Sequence, residues 1–180
     1  MSVTEITQIV PAGTWNADPV HSSIAFSITH MGVDTFTGSF APFEAALIGG
    51  EEPKLTGRAG VENIVTQDEN LHAHLLSPEF FDADRYPELR FESKAVRRDG
   101  DEFSVEGDLT IKGVARPVEL RGRIAGPLTD PYGRERLGVD LETTVDRTEF
   151  GLTWNAELPG GGRLLEDEVT LTARLALVKE

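Results

Sequence analysis

The sequence predicts an all-β fold, an antiparallel up-and-down barrel of about eight strands with one short helical insertion. Three observations point there. Alternation of apolar and polar residues with period two runs through most of the chain. Several alternating runs reach ten residues or more, which is long for the strands of a sandwich. A single stretch, Asp68 to Leu89, abandons the alternation. Closing the sheet also removes the unpaired edges that so many strands would otherwise expose.

The elements follow in order. Residues 1–12 read as a flexible N-terminal arm, and 13–180 as one domain. "GTWNAD" is a short strand with Trp15 inward. From Ser22 to Met31, Ile24, Phe26, Ile28 and His30 share one face. "DTFTGSFAPFEAALIG" places Phe36, Gly38 and Phe40 together. Pro42 then breaks the ladder, and Phe43, Ala45 and Leu47 continue the apolar face with the phase switched by one residue. "GRAGVENIVT" is a weaker strand. "DENLHAHLLSPEFFDADRYPEL" has an N-cap candidate in Asp68, a short helical pattern and two prolines, and predicts one or two helical turns across an end of the sheet. "LRFESKAVRR" contributes Phe91 and turns through "DGD" into the clearest alternation of the chain, with Phe103, Val105, Gly107, Leu109 and Ile111 inward. Val118, Leu120, Gly122 and Ile124 form the inner face of the next strand. "RLGVDLETTVD", a loop with the glycine run "PGGGR", and "LLEDEVTLTARLALVKE" with Val169, Leu171, Ala173, Leu175 and Leu177 inward complete the chain.

Composition narrows the function. A chain of 180 residues can bury a core without staples, and it has no cysteine, which removes disulfides, thiolate catalysis and sulfur-ligated zinc. Its formal charge of −14 repels phosphate backbones and anionic membrane surfaces, so nucleic acid is not an expected partner. The first residues have no basic region and no long apolar run, and no stretch suits a bilayer span. A cytoplasmic location is the expectation.

Few residues suggest bond-making chemistry. Of the four histidines, His72 and His74 have metal-like spacing on a strand, but they fall in the helical stretch, where i and i+2 diverge, so no metal is expected there. Asp18 and His21 sit at a turn with Pro19, where an aspartate commonly caps turn amides. His30 falls on the inward phase at a strand end. No nucleophile elbow, phosphate loop or dinucleotide fingerprint appears. The enzyme alternative is a hydrolase or isomerase acting on a lipid through His21, His30 and an acid.

What remains is the inner face. An eight-stranded barrel is at the size where side chains fill the interior or leave room for one small ligand. Pattern alone favours the filled core. Strand length favours the ligand: eleven residues at about 3.3 Å each, tilted by about 40°, give a tube on the order of 28 Å tall. Gly38, Gly107 and Gly122 on the inward phase are expected to leave space inside it.

Four segments carry a resemblance. "WNADPVHSSIAFSITHMGVDTFTGSF", "HLLSPEFFDADRYPELRFES", "GDLTIKGVARPVEL" and "VDRTEFGLTW" are similar, in this order, to the signatures of the YceI-like family. The resemblance implies an extended lipocalin-like barrel that binds or transports a polyisoprenoid or similar lipid, has no catalytic role and no cofactor, and is often a homodimer. The expected ligand is therefore a long-chain isoprenoid or quinone-like lipid. The expected lipid-binding residues are Ile24, Phe26, Ile28, His30, Phe36, Phe40, Phe43, Phe91, Phe103, Val105, Leu109, Ile111, Val145, Arg147, Phe150, Trp154 and Leu171. An anionic head group would need a positive partner, with Arg85, Arg116, Arg147 and Arg163 as candidates; Arg147 lies in the matching "DRTEF" segment.

Overall fold

The computed structural model describes residues 9–180. Eleven strands and one helix follow in sequence: β1 (Val10–Ala17), β2 (Ser23–His30), β3 (Asp34–Phe40), β4 (Glu44–Gly50), β5 (Lys54–Gly60), β6 (Ile64–Val65), α1 (Glu69–Leu76), β7 (Glu88–Asp99), β8 (Glu102–Ile111), β9 (Val114–Thr129), β10 (Glu135–Asp146) and β11 (Leu165–Lys179). Eight antiparallel strands close into a barrel in the order β1-β4-β5-β7-β8-β9-β10-β11, with β11 returning to β1.

The eleven strands reduce to eight because three long strands are each interrupted once. β1 and β2 lie in line along β11: Trp15 pairs with Lys179, and His30 pairs with Leu165 at the other end. Their antiparallel neighbours are β4 and β3, which also lie in line. β5 and β6 form the third interrupted strand, pairing with β4 and β3 in turn. The breaks fall at residues 18–22, 41–43 and 61–63, and local hydrogen bonds satisfy the backbone there. Asp18 N donates to Ala176 O at 2.7 Å, Ala41 N to Asn63 O at 3.1 Å, and Asn63 Nδ2 to Pro42 O at 3.2 Å. The phase switch read at Pro42 is the second of these breaks.

The breaks divide the interior into two levels. Below them, β1 and β4 complete the wall and the barrel is solid. Trp15, Leu47, Val105 and Leu177 are completely buried there, with Phe103, Ile124 and Val139 nearly so. The Trp15 indole is satisfied by donating to Pro11 O at 2.9 Å. Above the breaks, β2, β3 and β6 form the wall, and α1 covers them. Asp68 caps α1 by accepting from Leu71 N at 2.9 Å, as its position predicts. Leu71 and Leu75, four residues apart on one helix face, pack with Phe40, Phe80 and Phe81 into a second apolar cluster.

The expected arm over residues 1–12 lies outside the described residues as far as Gln8. Val10 to Ala12 belong to β1, where Val10 pairs with Gly50 and is completely buried. Among the described residues no helix is long and apolar enough to cross a membrane.

Candidate functional site

The upper level of the barrel holds an open cavity of about 570 Å³ with an almost wholly apolar wall. Each strand contributes alternate residues, as the pleat requires. β2 supplies Ile24, Phe26 and Ile28, β3 supplies Phe36 and Phe40, and Phe43 projects from the break that follows. Phe91, Leu109, Ile111, Val145 and Leu171 continue the wall around the barrel, and Phe150 and Trp154 complete it from the segment after β10. Leu55, Leu141 and Leu175 belong to both the cavity wall and the lower core, so they form the floor. A second depression of about 610 Å³ lies at the breaks, lined by Asn16, Ala17 and Pro19 and sharing Phe43, Ala45 and Phe91 with the cavity.

Fifteen of the expected residues stand on this wall, including His30 and Arg147. Phe103 and Val105 do not. They point inward as their alternation requires, but they sit in the solid lower level, 2% and 0% exposed, packed among core side chains. Period two gives the face of a residue and not its height along the axis.

The glycines also differ from expectation. A Cβ on Gly38 would run into the Phe26 ring from the paired position on β2. A Cβ on Gly107 would meet the Phe91 ring at 2.7 Å. Gly122 approaches the backbone of Asp140 too closely for any side chain. Aromatic rings take up the space at Gly38 and Gly107, and neighbouring backbone takes it at Gly107 and Gly122, so none of the three widens the cavity.

Part of the wall was not assigned from the sequence. Leu71, His74 and Leu75 from α1, Phe80 and Phe81 after it, and Leu152, Leu164 and Leu165 all line the cavity. They lie on a helix, in loops or at a strand start, where period two assigns no face. The available signals were the i, i+4 leucines of α1 and the Phe-Phe pair behind it. His74 packs edge-on against Trp154 and Phe80, with ring centres 4.7 and 4.9 Å away, and Phe80 and Trp154 lie 5.2 Å apart. A further aromatic series, Phe36–Phe26–Phe40–Phe81, runs across the wall with spacings of 6.0, 6.0 and 6.2 Å.

The histidines are dispersed. His21 Nδ1 meets Asp18 Oδ2 at 2.8 Å, and His30 Nδ1 meets Asp34 Oδ1 at 2.9 Å. They flank the two ends of β2, more than roughly 20 Å apart for a strand rising about 3.3 Å per residue, so they cannot act as one acid–base pair. On α1 the rings diverge: His72 Nε2 faces Glu62 O at 3.2 Å and His74 Nε2 faces Glu79 Oε2 at 2.6 Å. Among the described residues no three His, Cys, Asp or Glu side chains gather as a metal site.

Asp18 has the turn-capping role its position suggests, accepting from Val20 N at 2.9 Å. It also accepts from Arg136 Nη1 at 3.0 Å, while Arg136 Nε donates to Asp130 at 2.8 Å. The cluster ties the first break to the β9–β10 hairpin. Hydrogen bonds from His21 and Arg136 hold the Asp18 carboxyl well below its usual range, and Arg136 does the same for Asp130.

The four candidate arginines separate cleanly. Arg85 lies beside Asp82 and over the Tyr86 ring, Arg116 donates to Glu149 O at 3.3 Å, and Arg163 pairs with Asp167 at 3.2 Å, all with exposed side chains. Arg147 alone of the four lines the cavity and is buried. Its Nε donates to Glu166 O at 2.8 Å, and its Nη1 to Leu152 O at 2.6 Å and Trp154 O at 2.9 Å. The guanidinium thus clasps the segment between β10 and β11 against the barrel. Burial pulls its pKa down from the ordinary arginine value, opposed by the nearby Asp167 carboxylate.

Comparison with known proteins places this geometry among relatives. The family model of the YceI-like domain matches residues 15–177. Protein YceI of Shigella flexneri is 32% identical over 136 residues, 73% of this chain and 71% of that protein. A UPF0312 protein of Pectobacterium atrosepticum is 29% identical over 164 residues, 85% of each. The crystal structure of Burkholderia cenocepacia BcnA superposes with a TM-score of 0.75 at 22% identity, covering 91% of this chain and 99% of that one. A polyisoprenoid-binding domain from Saccharophagus degradans, implicated in plant cell wall breakdown, superposes with a TM-score of 0.72 at 12% identity, covering 94% and 100%.

Proposed function

The chain belongs to the YceI-like family, and from that membership we propose that it binds a long-chain isoprenoid or similar amphiphilic lipid and carries or sequesters it without chemical change. One observation carries this reading. The upper half of the barrel is a cavity of about 570 Å³ walled by aliphatic and aromatic carbon, where a solid barrel would have packed side chains. A volume of this size is typical of small-molecule sites. Each methylene moved from water into such a wall contributes about 0.8 kcal/mol, so a long hydrocarbon needs few polar contacts to bind well. The polyisoprenoid-binding domain with the same fold supports the choice of ligand class. The dispersal of the histidines supports a binding role over a catalytic one.

The test is solvent extraction of the purified protein and mass spectrometry of what it releases, followed by reloading with geranylgeraniol. A stoichiometric prenyl or other long-chain lipid is the expected result. Protein that yields no lipid from several hosts, and cannot be loaded with one, overturns the proposal.

A further inference from the structure

The cavity ends on a floor, and its depth limits the chain it can take. Leu55, Leu141 and Leu175 belong both to the cavity wall and to the lower core. Trp15, Phe103 and Leu177 fill the barrel beneath them, at 0%, 2% and 0% exposure. A hydrocarbon tail that reached this level would have to displace close-packed side chains to go further, and overpacking such a core is unfavourable.

The depth follows from β11, which runs from rim to floor. Leu165 pairs with His30 at the rim, and Leu175 lies on the floor. Four steps of β11, from Leu165 to Val169, match two of β2, from His30 to Ile28, so two of the ten steps between Leu165 and Leu175 add no height. The remaining eight, at about 3.3 Å each and tilted by about 40°, give a depth of roughly 20 Å. An isoprene unit adds four bonds to the length of a chain. An extended polypeptide advances about 3.3–3.6 Å over three bonds, which makes roughly 4.6 Å per isoprene unit, so about four units fill the depth.

The volume gives the same number independently. A hydrocarbon carbon takes about the share of space of a liquid water molecule, roughly 30 Å³, or about 150 Å³ per five-carbon unit. The cavity of about 570 Å³ therefore holds about four units. Depth and volume are exhausted by the same length of chain. The chain must lie extended in single file, and no space remains for a longer one to double back.

The depression at the breaks offers the tail no continuation. Glu44 and Arg58, joined at 2.7 Å, line it together with Arg90 and Glu92. Apolar carbon laid against these groups would strip their water without replacing its hydrogen bonds.

We infer that the cavity takes one extended chain of about four isoprene units, and that Leu55, Leu141 and Leu175 set this limit. The inference rests on the lipid-binding reading above and goes beyond it in assigning the length of the ligand and the residues that measure it.

The experiment uses the delipidated 180-residue chain and phosphatidylcholine vesicles holding equimolar prenols of three, four, five, six and eight units. The protein is separated from the vesicles, and its prenols are counted by mass spectrometry. Up to the limit, a chain leaves one hydrocarbon environment for another, so added length carries little penalty. Beyond it, each extra unit leaves the bilayer for water, which costs about tenfold or more in occupancy. The three- and four-unit prenols are expected to dominate, with the six- and eight-unit prenols below about a tenth of the four-unit one. Leu175→Ala deepens the well by about three carbons and should raise the ratio of five-unit to four-unit prenol severalfold. Ala173 lines the cavity and packs on the lower core, so Ala173→Leu raises the floor by a similar amount. It should lower the ratio of four-unit to three-unit prenol severalfold. A general loss of stability reduces uptake of every prenol and shifts neither ratio. If Leu175→Ala does not fold, Ala173→Leu, which adds its side chain to a wall facing open space, still decides. Failure of every prenol to bind overturns the lipid reading itself. Uptake of the eight-unit prenol on a par with the four-unit one leaves that reading standing and overturns the length limit. Unshifted ratios in the folded variants overturn the role given to the floor.

Discussion

Phe26 and Gly38 face each other across paired strands, and the aromatic ring of one occupies the volume a side chain on the other would need. This fit sets the shape of the cavity wall where β2 and β3 meet. Gly38→Ala should push the Phe26 ring out of its place. Overpacking of this kind typically costs about 1–3 kcal/mol. We expect a stability loss in that range by denaturant melts, together with less lipid retained per protein by mass spectrometry. Unchanged loading would show that the ring has room to move elsewhere.

Phe103 provides the opposite control. It fills the solid lower level, so Phe103→Ala should cost about 3–5 kcal/mol, the range for a buried phenylalanine. Lipid-loaded and delipidated samples should lose the same amount, because the residue does not touch the cavity. Phe36→Ala, on the cavity wall, should cost the delipidated protein less and the loaded protein more, since contacts to the ligand are linked to folding. Melts of both variants in both states check the contrast.

The Asp18–Arg136–Asp130 cluster predicts behaviour in acid. Both carboxyls titrate below their ordinary value of 3.8 in the folded protein. A lowered folded pKa gives stability that is fully present above the unfolded value and is lost as pH falls through the folded one. Stability from this cluster should therefore be constant from neutrality to about pH 5 and decline below pH 4. Arg136→Ala removes the guanidinium that both carboxyls share, leaving Asp18 to His21 and Asp130 to Arg134, and its acid-unfolding midpoint should move to higher pH. Circular dichroism during acid titration measures this, and superimposable curves for wild type and variant would refute it.

The Asp68 cap links helix α1 to the cavity it covers. Asp68→Ala should cost about 1 kcal/mol, the usual loss for an N-cap carboxylate. Because Leu71, His74 and Leu75 present their side chains from that helix to the cavity, bound lipid should also leave faster. Transfer of a fluorescent prenol to vesicles would measure the rate. An unaltered rate in a destabilised variant would mean that release does not involve α1.

Much of this architecture was legible in the residues. Fifteen of the seventeen expected side chains stand on the wall, and eleven of those lie on strands, where the pleat gives every second residue the same face. The same rule failed for Phe103 and Val105, whose side chains point inward at the wrong level. Nothing local to β8 marks where the barrel changes from solid to hollow. That boundary is set by the breaks at residues 18–22, 41–43 and 61–63, which come together only through strand pairing. Pro42 signalled one of them. Arg147 was singled out by motif, but its engagement with Leu152, Trp154 and Glu166 depends on the path of the chain between β10 and β11, which follows no period.

The solid floor has a consequence for traffic. With Trp15, Phe103 and Leu177 packed beneath it, the hollow has no axial exit: it is a bottle and not a pipe. Under the binding role proposed above, a cargo that entered tail first through the far end would have to leave it head first. A donor and an acceptor of that cargo would then have to address the same end of the molecule, one after the other. On the carrier role proposed above, such a protein would not serve as a conduit between two membranes. A carrier of that shape would have to shuttle, and its throughput would be governed by how often it met each of them.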